Sequence, residues 1–470
     1  MSKGPFSVVD DQRHPLATIV ILAWPIFLEQ VLVSLVQAVD TAMVGSLGKR
    51  ATAAVAISQS PNMLINGIIM ALGVGFTSLI ARSVGARELE RARRLMRQSI
   101  LVVLAVGVPL SAIMFLLARQ IPLWMGGEAE ILDVAADYNR ILALSLAFRG
   151  MTMMLTAIYR GYGDSKTPMK INVMVNLVNV AGNFLMIYPA RTLELFGRSV
   201  PMFGLGWGVA GAAVSTSLSA ALGGTLLLVL SFVRETDMRL SLRDSFAPDW
   251  RELTQVVRIS LPAMLERLTM SGAQIVVVRV VATLGTAAVA AQNLAANVEA
   301  LSFMPGFAFG TSATILFGQS LGGKRPDLAV KYISLTNRMG SAVMLFMSLL
   351  LFFGSTAIMG LFTPDQEVIG LGSILLKILA VIQIPQVIAM VYSGALRGAG
   401  DTKSPFLISL MSMWGVRIVG ALICVQLLDL GLPAVCVCMC TDNVVRCVLF
   451  HLRYQAGSWN REAKALAVQV

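Results

Sequence analysis

Charged side chains and histidine are scarce in this sequence. Only 13% of the 470 residues are charged, and the two histidines, His14 and His451, lie near the chain ends. A soluble domain carries roughly 25% charged residues, so this chain lacks the polar side chains that a surface in water requires. The sequence contains no HExxH, P-loop or nucleophile-elbow pattern. We therefore predict a membrane protein that is not an enzyme and needs no cofactor.

Cysteine is scarce as well, and all five cysteines lie in the last two apolar segments. Cys436, Cys438 and Cys440 follow one another at a spacing of two residues, which scatters them around a helix. Such residues are typical of small apolar packing positions. We predict neither a disulfide framework nor a zinc site.

Apolar sequence, in contrast, is abundant. Hydrophobic residues make up 56% of the chain, and the mean hydropathy is +0.75. Twelve apolar segments are each long enough to cross roughly 30 Å of hydrocarbon as a helix, and too long for the strands of a membrane barrel. The predicted segments are 16–45, 53–81, 98–120, 135–158, 168–189, 205–233, 256–283, 286–317, 335–362, 368–394, 404–428 and 431–452.

A nine-residue pattern occurs twice. Arg160–Pro168 reads RGYGDSKTP, and Arg397–Pro405, which lies 237 residues later, reads RGAGDTKSP. The same offset pairs further residues: Pro25 with Pro262, Glu29 with Glu266, Gly48 with Gly285, and 83–85 with 320–322. Because independent matches at one offset rarely arise by chance, we infer that the chain is an internal duplication.

The duplication and the twelve segments together predict the architecture. We expect an all-α integral membrane protein with twelve transmembrane helices, arranged as two six-helix lobes related by a parallel pseudo-two-fold repeat. The predicted N-terminal lobe is 1–233, the linker is 234–254, and the C-terminal lobe with its short tail is 255–470. Lobes of this kind enclose a cavity. Since one chain would contain the whole cavity, we expect a monomer.

The basic residues indicate orientation. Arginine-rich loops follow every second segment, whereas the loops of the other parity are mostly acidic. By the positive-inside rule, the arginine-rich loops, the linker and both termini face the cytoplasm of a bacterial plasma (inner) membrane. We assign the formal charge of +11 to this topology and not to nucleic-acid binding. In the repeated loops, we interpret the glycines as tight turns and Asp164 and Asp401 as caps of the next helix.

Ionisable side chains inside the predicted spans are functional candidates. Glu29 and Asp40 are eleven residues apart and lie on one face of segment 1. At the offset of the repeat, Glu29 is matched by Glu266, whereas Asp40 is matched by Val277. A carboxylate present in one half alone indicates a specialised site. The alternative is that Asp40 only extends to the outer interface.

Segment 5 carries a stripe of four amides at helical spacing, Asn172, Asn176, Asn179 and Asn183. The equivalent residues of the second half are Ser409, Met413, Val416 and Gly420. We expect the stripe to face protein or a wet cavity, and the alternative is that its amides only join neighbouring helices. A carboxylate with amide and hydroxyl oxygens suits Na⁺, whereas a desolvated carboxylate could instead hold a proton.

Other polar residues in the spans are weaker candidates. Asp442 and Arg446 are four residues apart in segment 12, so we expect them to neutralise each other. Six residues are candidates for lining the cavity: Glu29, Asn176, Glu266, Arg279, Glu299 and Arg417.

Several of these stretches resemble the MATE (multidrug and toxic compound extrusion) family. The run from Pro25 through Glu29 and Asp40 to Gly48 is similar to the first helix of that family, and so are the two RG.GD.K.P loops to its loops. The other matching pieces are 211–213, Trp414 with Arg417, and 457–459. The resemblance covers nearly the whole chain and implies two six-helix lobes around a V-shaped cavity.

The resemblance also implies a function and a site. MATE proteins export amphipathic organic cations in exchange for Na⁺ or H⁺, and Asp40 matches their central coupling residue. Asn179 and Asn183 match its companions on helix 5, and Thr216 matches a hydroxyl on helix 6. The resemblance thus assigns the cation or proton site to these four residues, with Asp40, Asn179 and Asn183 as the Na⁺ ligands of a sodium-coupled protein.

We predict a secondary active antiporter for multidrug efflux, whose partners are small amphipathic organic cations and membrane lipid. The alternative is a flippase for a lipid-linked saccharide or another amphiphilic lipid, which would need a denser set of cations than Arg279 and Arg417 provide. Some family members carry second-lobe carboxylates where this chain has Met270 and Gln386, so a second cation site is not predicted. A passive channel is disfavoured because a two-lobe duplication suits alternating access.

Overall fold

Helices form most of the chain. A computed structural model describes residues 8–9, 13–195, 198–241, 243–457 and 459. The helices of the first half are α1 (Pro15–Gly45), α2 (Lys49–Gly85), α3 (Leu89–Leu116), α4 (Gln120–Trp124), α5 (Ala129–Tyr162), α6 (Lys166–Met186) and α7 (Gly208–Val233). Those of the second half are α8 (Trp250–Ala282), α9 (Thr286–Gly322), α10 (Pro326–Gly360), α11 (Gln366–Val381), α12 (Gln383–Gly398), α13 (Lys403–Ser412), α14 (Val419–Leu422) and α15 (Leu432–Gln455). Two π-helical stretches, π1 (Met413–Ile418) and π2 (Ile423–Leu427), flank α14.

The described helices fit the predicted number of spans. Nine helical segments are long and apolar enough to cross a membrane, and α11 and α12 form a tenth that bends by 50°. Helices α6 and α8 are of spanning length as well, although asparagines interrupt the apolar sequence of α6 and charged residues interrupt that of α8. With these two, the layout fits twelve spans in an all-α, two-lobe fold.

Several helices extend beyond the apolar segments that predicted them. Helix α3 begins at Leu89 rather than near residue 98, and α10 begins at Pro326 rather than near residue 335. Helix α8 begins at Trp250, inside the predicted linker, after Asp249 has capped its first turn. Hydropathy marks where a helix enters the membrane, whereas capping residues mark where its backbone hydrogen bonding begins.

A β-hairpin, which was not predicted, interrupts the first half. Strand β1 (Pro189–Leu195) pairs antiparallel with β2 (Arg198–Leu205), and Pro189 lies opposite Leu205. At its base, the Arg191 guanidinium lies 3.8 Å from the centre of the Tyr188 ring. The second half passes directly from π2 to α15, so the hairpin accounts for much of the length difference between the halves.

We call the side of the molecule that carries the two repeated loops the basic side. There α2 and α9 cross so closely that a β-carbon added to Gly85 would overlap the carbonyl oxygen of Gln319. At the offset of the repeat, a β-carbon on Gly322 would overlap the carbonyl oxygen of Arg82. The duplicated glycines thus permit a close, pseudo-symmetric contact between the halves.

Each half also contacts the repeated loop of the other half. Ser78 on α2 donates a hydrogen bond to the carbonyl oxygen of Arg397 at 2.7 Å. Gln319 on α9 donates to the carbonyl oxygen of Gly161 at 3.1 Å. These contacts join the two halves on the basic side.

The basic-side half of α1 belongs to the core of the second half. Ile19, Leu22 and Ile26 are fully buried in one apolar cluster with residues of α9, α10 and α12. The other half of α1 contacts α6 of its own lobe. Helix α1 therefore links the two lobes.

The repeated loops cap the helices that follow them, as predicted. Oδ1 of Asp164 accepts a hydrogen bond from the backbone nitrogen of Thr167 at 3.0 Å. Oδ1 of Asp401 accepts one from the backbone nitrogen of Ser404 at 2.9 Å. The sequence pattern of the repeat is therefore also a repeat of geometry.

Candidate functional site

The candidate site is built around Asp40, in the part of α1 that is farthest from the basic side. Its side chain is half-buried and faces α6. The amide nitrogen of Asn183 donates to Oδ1 of Asp40 at 2.5 Å. The amide oxygen of Asn183 is buried and has no hydrogen-bond partner among the described residues.

Asn179 lies one turn before Asn183 and contacts the same carboxylate. Both ends of its amide are satisfied when the nitrogen faces Asp40. In that orientation it donates to Oδ1 at 3.0 Å and to Oδ2 at 3.2 Å, and its oxygen accepts from the Thr216 hydroxyl at 3.2 Å. Ser215 donates to the carbonyl oxygen of Asn179 at 2.7 Å and so holds α7 against α6.

The structure thus brings together Asp40, Asn179, Asn183 and Thr216, the four residues of the predicted coupling site. One carboxylate is surrounded by neutral amide and hydroxyl groups, so binding of a proton or a monovalent cation would change the net charge of the site by one. Within the described parts of the chain, no group of three or more His, Cys, Asp and Glu residues could hold a metal ion.

Glu29 lies elsewhere, at the basic side. It is 6% exposed and forms an ion pair with Arg160 of the first repeated loop at 2.7 Å. Asn172, the first amide of the stripe, donates to its other oxygen at 2.7 Å. Asn176 lies between Asn172 and Asn179, and its amide nitrogen has no partner within the described residues. The stripe of amides therefore donates hydrogen bonds to two different carboxylates, Glu29 and Asp40.

Glu266 forms the equivalent contacts in the second half. It is 5% exposed and forms an ion pair with Arg397 of the second repeated loop at 2.7 Å. Ser409, which corresponds to Asn172, donates to its other oxygen at 3.0 Å. Glu29 and Glu266 thus form matching buried ion pairs and do not lie beside Asp40.

Asp442 is the centre of a charged cluster in the second half. It pairs with Arg446 at 2.9 Å, which confirms that prediction, and also with Arg417 at 2.7 Å. The carboxyl of Glu299 faces Gln386, Arg417 and Arg446. Arg417 lies in π1, and π-helical turns often occur at functional sites. This cluster is separate from the Asp40 site.

Arg149, Arg267 and Arg279 are further cationic side chains within the spans. Arg279 is exposed near the end of α8. Two others, Arg149 and Arg267, were not singled out from the sequence. Arg149 on α5 donates to the amide oxygen of Asn62 at 2.9 Å, and its Nε has no partner in the described residues. The rule that an ionisable residue in a span marks a functional site could have identified both.

A cavity of about 240 Å³ lies between the halves. It lies between the middle of α2 and α8, and methionine, leucine and isoleucine form most of its walls. Its lining residues are Met63, Leu64, Asn66, Gly67, Ile68, Met70, Met264, Arg267, Leu268 and Ser271. An apolar cavity with a few polar groups is the usual form of a binding site for organic molecules.

A duplicated all-α membrane fold with a cavity between its halves is the architecture of a transporter. The profile of the MatE family matches residues 25–185 and 262–423, two ranges that begin one repeat apart. The chain belongs to the MatE family of multidrug transporters.

Relatives and solved structures agree with this assignment. The chain is 29% identical to "Probable multidrug resistance protein NorM" of Thermotoga maritima, over 94% of this chain and 92% of that protein. It is 26% identical to "Uncharacterized transporter YisQ" of Bacillus subtilis, over 94% and 95% of the two chains. Among solved structures, a MATE transporter in the straight conformation matches with a TM-score of 0.89, 25% identity and coverage of 98% and 100%. An outward-facing multidrug resistance MATE transporter matches with a TM-score of 0.87, 25% identity and coverage of 97% and 99%.

Proposed function

We propose that this protein is a secondary active antiporter that exports amphipathic organic cations across the plasma membrane in exchange for Na⁺ or H⁺. The basic side and both termini would face the cytoplasm. The names of the relatives support multidrug efflux. The protein would function as a monomer surrounded by lipid.

The observation that carries the proposal is that the partners of the Asp40 carboxylate are neutral amides. Glu29, Glu266 and Asp442 each form an ion pair with an arginine. Asp40, in contrast, has amide partners. A carboxylate with neutral partners can gain a proton or a cation without breaking an ion pair, which is what a coupling site requires.

The amides offer a way to distinguish the two coupling ions. As arranged, the nitrogens of Asn179 and Asn183 face the Asp40 carboxylate. Bound Na⁺ would require amide oxygens on that side, and the unpartnered oxygen of Asn183 could supply one by rotation of its amide. A bound proton would need one acceptor at most.

Coupling would act through α1. Asp40 lies on the part of α1 that contacts the first half, whereas Ile19, Leu22 and Ile26 pack into the second half. Pro25 lies inside the helix next to Ile26, within the part that packs into the second half, where it removes one backbone hydrogen bond and favours a bend. Occupancy of Asp40 would shift the two lobes only if the ion binds one conformation more tightly than the other.

The proposal is tested with purified protein in liposomes that contain a fluorescent organic cation. A Na⁺ gradient and a pH gradient are imposed separately, and dye movement is followed. We expect one gradient to drive the dye, Asp40→Asn to abolish that movement while the protein stays folded, and the exposed-site control Asp133→Asn to behave as wild type. Full transport by Asp40→Asn would contradict the proposal.

The flippase alternative loses part of its basis in this structure. Of the two arginines on which it relied, Arg417 forms an ion pair with Asp442. Scrambling of a fluorescent lipid in the same liposomes, with no response of the dye to either gradient, would favour the flippase over the antiporter.

A further inference from the structure

Two cysteines near the end of the chain lie side by side. The sulfur of Cys424, in π2, is 3.7 Å from the sulfur of Cys438, on α15. Both side chains are half-buried, and both thiols are free. The two sulfurs of a disulfide are about 2 Å apart, so the gap that would have to close is less than about 2 Å. The proposed export mechanism uses neither thiol.

A glycine permits this contact. Gly420 lies on α14, one turn before Cys424, and a β-carbon added to it would come within 3.0 Å of the Cys438 sulfur and 3.4 Å of the Cys438 β-carbon. Because residues four apart lie on the same face of a helix, Gly420 and Cys424 face the same neighbour. The missing side chain of Gly420 allows the backbone of α14 to approach α15 closely. The contact between the two thiols therefore follows from how tightly these helices pack.

The nearest other cysteines on α15 face a different helix. Cys436 and Cys440 are buried, and their sulfurs lie 3.9 Å and 3.8 Å from carbonyl oxygens of α11. Cys438, two residues from each of them, faces α14 and π2 instead. The spacing of two residues thus separates one thiol with a cross-helix partner from two thiols that pack against α11.

The pair lies near the ends of the helices that are farthest from the basic side. Residues 428–431 join π2 to α15, and all four are exposed. Cys424 lies one turn before this loop, and Cys438 lies less than two turns after the start of α15. In the proposed orientation this end faces the periplasm, where disulfides form and persist. A small oxidant therefore has a short path to the two thiols.

The same two elements are already joined by a charge contact. Arg417, in π1 and seven residues before Cys424, forms an ion pair with Asp442, which follows Cys438 by four residues on α15. A disulfide between the cysteines would add a covalent link one to two turns nearer the exposed loop. It would restrict the movement of π2 relative to α15.

We propose that Cys424 and Cys438 form a redox site, a dithiol that hydrogen peroxide converts into a disulfide that fixes π2 against α15. One sulfur attacks an oxygen of the peroxide and becomes a sulfenic acid, and the first water leaves with the thiol proton. The second sulfur then attacks the sulfenic sulfur, the S–S bond forms, and the displaced hydroxyl leaves with the second thiol proton as water. Two thiols and one peroxide thus give one disulfide and two waters. A dithiol reductant reverses the reaction.

The number of reactive thiols tests the site in the full chain. Purified protein in detergent is treated with hydrogen peroxide, denatured and labelled with a maleimide, and the labels are counted by mass spectrometry. We expect wild type to lose two of its five thiols and to regain them with dithiothreitol. Peptide mapping should locate the bond between Cys424 and Cys438.

Three variants provide the comparison. Cys424→Ser and Cys438→Ser each remove one partner, from different helices, and should form no disulfide. Cys440→Ser is the matched control on α15, and it should still lose two thiols because the Cys424–Cys438 pair is intact. Absence of a disulfide in wild type, or a bond formed only between Cys436 and Cys440, would overturn the inference.

Hydrogen–deuterium exchange tests whether the disulfide fixes π2. We expect oxidation to slow amide exchange severalfold in peptides from 419–431, in wild type and in Cys440→Ser, because the cross-link suppresses local opening. Exchange in Cys424→Ser should not change with the oxidant. Equal exchange before and after oxidation of wild type would contradict the restriction of π2. Neither measurement uses a substrate or a gradient, so failure of the antiporter proposal would leave both results unaffected.

Discussion

At their basic ends the two halves use equivalent residues for equivalent contacts, whereas at the depth of Asp40 their residues differ. Each half has a buried glutamate bound to the arginine of its repeated loop, and each loop has an aspartate that caps the next helix. That aspartate also pairs with an arginine near the end of the last helix of its half, Arg234 at 2.7 Å and Arg453 at 2.9 Å.

The difference lies farther from the basic side. The residues matching Asp40, Asn179 and Asn183 in the second half are Val277, Val416 and Gly420. The charges of the second half are instead gathered around Asp442, where they pair with one another. The duplicated ion pairs thus stabilise the basic end of each lobe, and the unduplicated carboxylate of Asp40 forms no ion pair among the described residues.

The largest expected effect on transport comes from making the first half resemble the second. The double variant Asn179→Val and Asn183→Val removes the donors that face the Asp40 carboxylate. Because each hydrogen bond to a charged group contributes roughly 1.5–3 kcal/mol, we expect gradient-driven efflux to fall about a hundredfold or more. The rate of gradient-driven dye efflux is measured in liposomes. Efflux within a factor of two of wild type would show that these amides are only structural.

Breaking the duplicated ion pairs should affect stability in both halves. Removing one partner of a buried ion pair costs about 3–5 kcal/mol, because the remaining charge is left buried and unpaired. We expect Glu29→Gln to cost more than Glu266→Gln, since the Arg160 side chain is 12% exposed and that of Arg397 is 28% exposed.

The measurement is denaturant unfolding in detergent for each single variant. The double variants Glu29→Gln with Arg160→Gln, and Glu266→Gln with Arg397→Gln, are the matched controls and should be less destabilised than the single ones. If the variants of one half lowered the free energy of unfolding and those of the other half left it unchanged, the two ion pairs would not be energetically equivalent.

The smallest expected effect concerns the cap of the first repeated loop. Burial raises the pKa of Asp164, but hydrogen bonds from Thr167 and the ion pair with Arg234 outweigh it and hold the pKa below its ordinary value. The ionised carboxylate therefore stabilises the fold above its unfolded pKa, and this contribution is lost as the pH falls through the folded pKa.

We expect Asp164→Asn to flatten the acid side of the stability profile, with a loss of about 1 kcal/mol or less near neutral pH because Arg234 is partly exposed. Thermal unfolding is measured between about pH 6 and pH 3, a range that brackets the ordinary pKa of an aspartate. A parallel downward shift of the whole profile would mean that ionisation of Asp164 does not contribute.

The sequence predicted the parts of the structure that depend on periodicity and repetition. The length of the apolar segments located the spans. The offset of 237 residues paired Glu29 with Glu266, and helical spacing placed Asn179 and Asn183 on one face. The match between the Asp40 region and known MATE proteins brought Thr216 into the site. Each of these features is either local in the chain or repeated within it, so a single sequence is enough to show it.

Other features depend on contacts that one sequence does not display. The partner of Glu29 is Arg160, more than a hundred residues away, and only folding makes that pair visible. The hairpin at Pro189–Leu205 has no counterpart in the second half, and the bend at Ile382 lies within one apolar run. Arg267 is one of several charged residues of α8, and its position in the lining of the cavity depends on how the halves pack.

The most direct test compares Asp40 of the first half with Glu299, the carboxyl that faces the charged cluster of the second half. Gradient-driven efflux of a cationic dye is measured for wild type, Asp40→Asn and Glu299→Gln in matched liposomes. We predict that Asp40→Asn loses coupled efflux and that Glu299→Gln retains most of it. Loss in Glu299→Gln with full activity in Asp40→Asn would contradict the assignment of ion coupling to the first half.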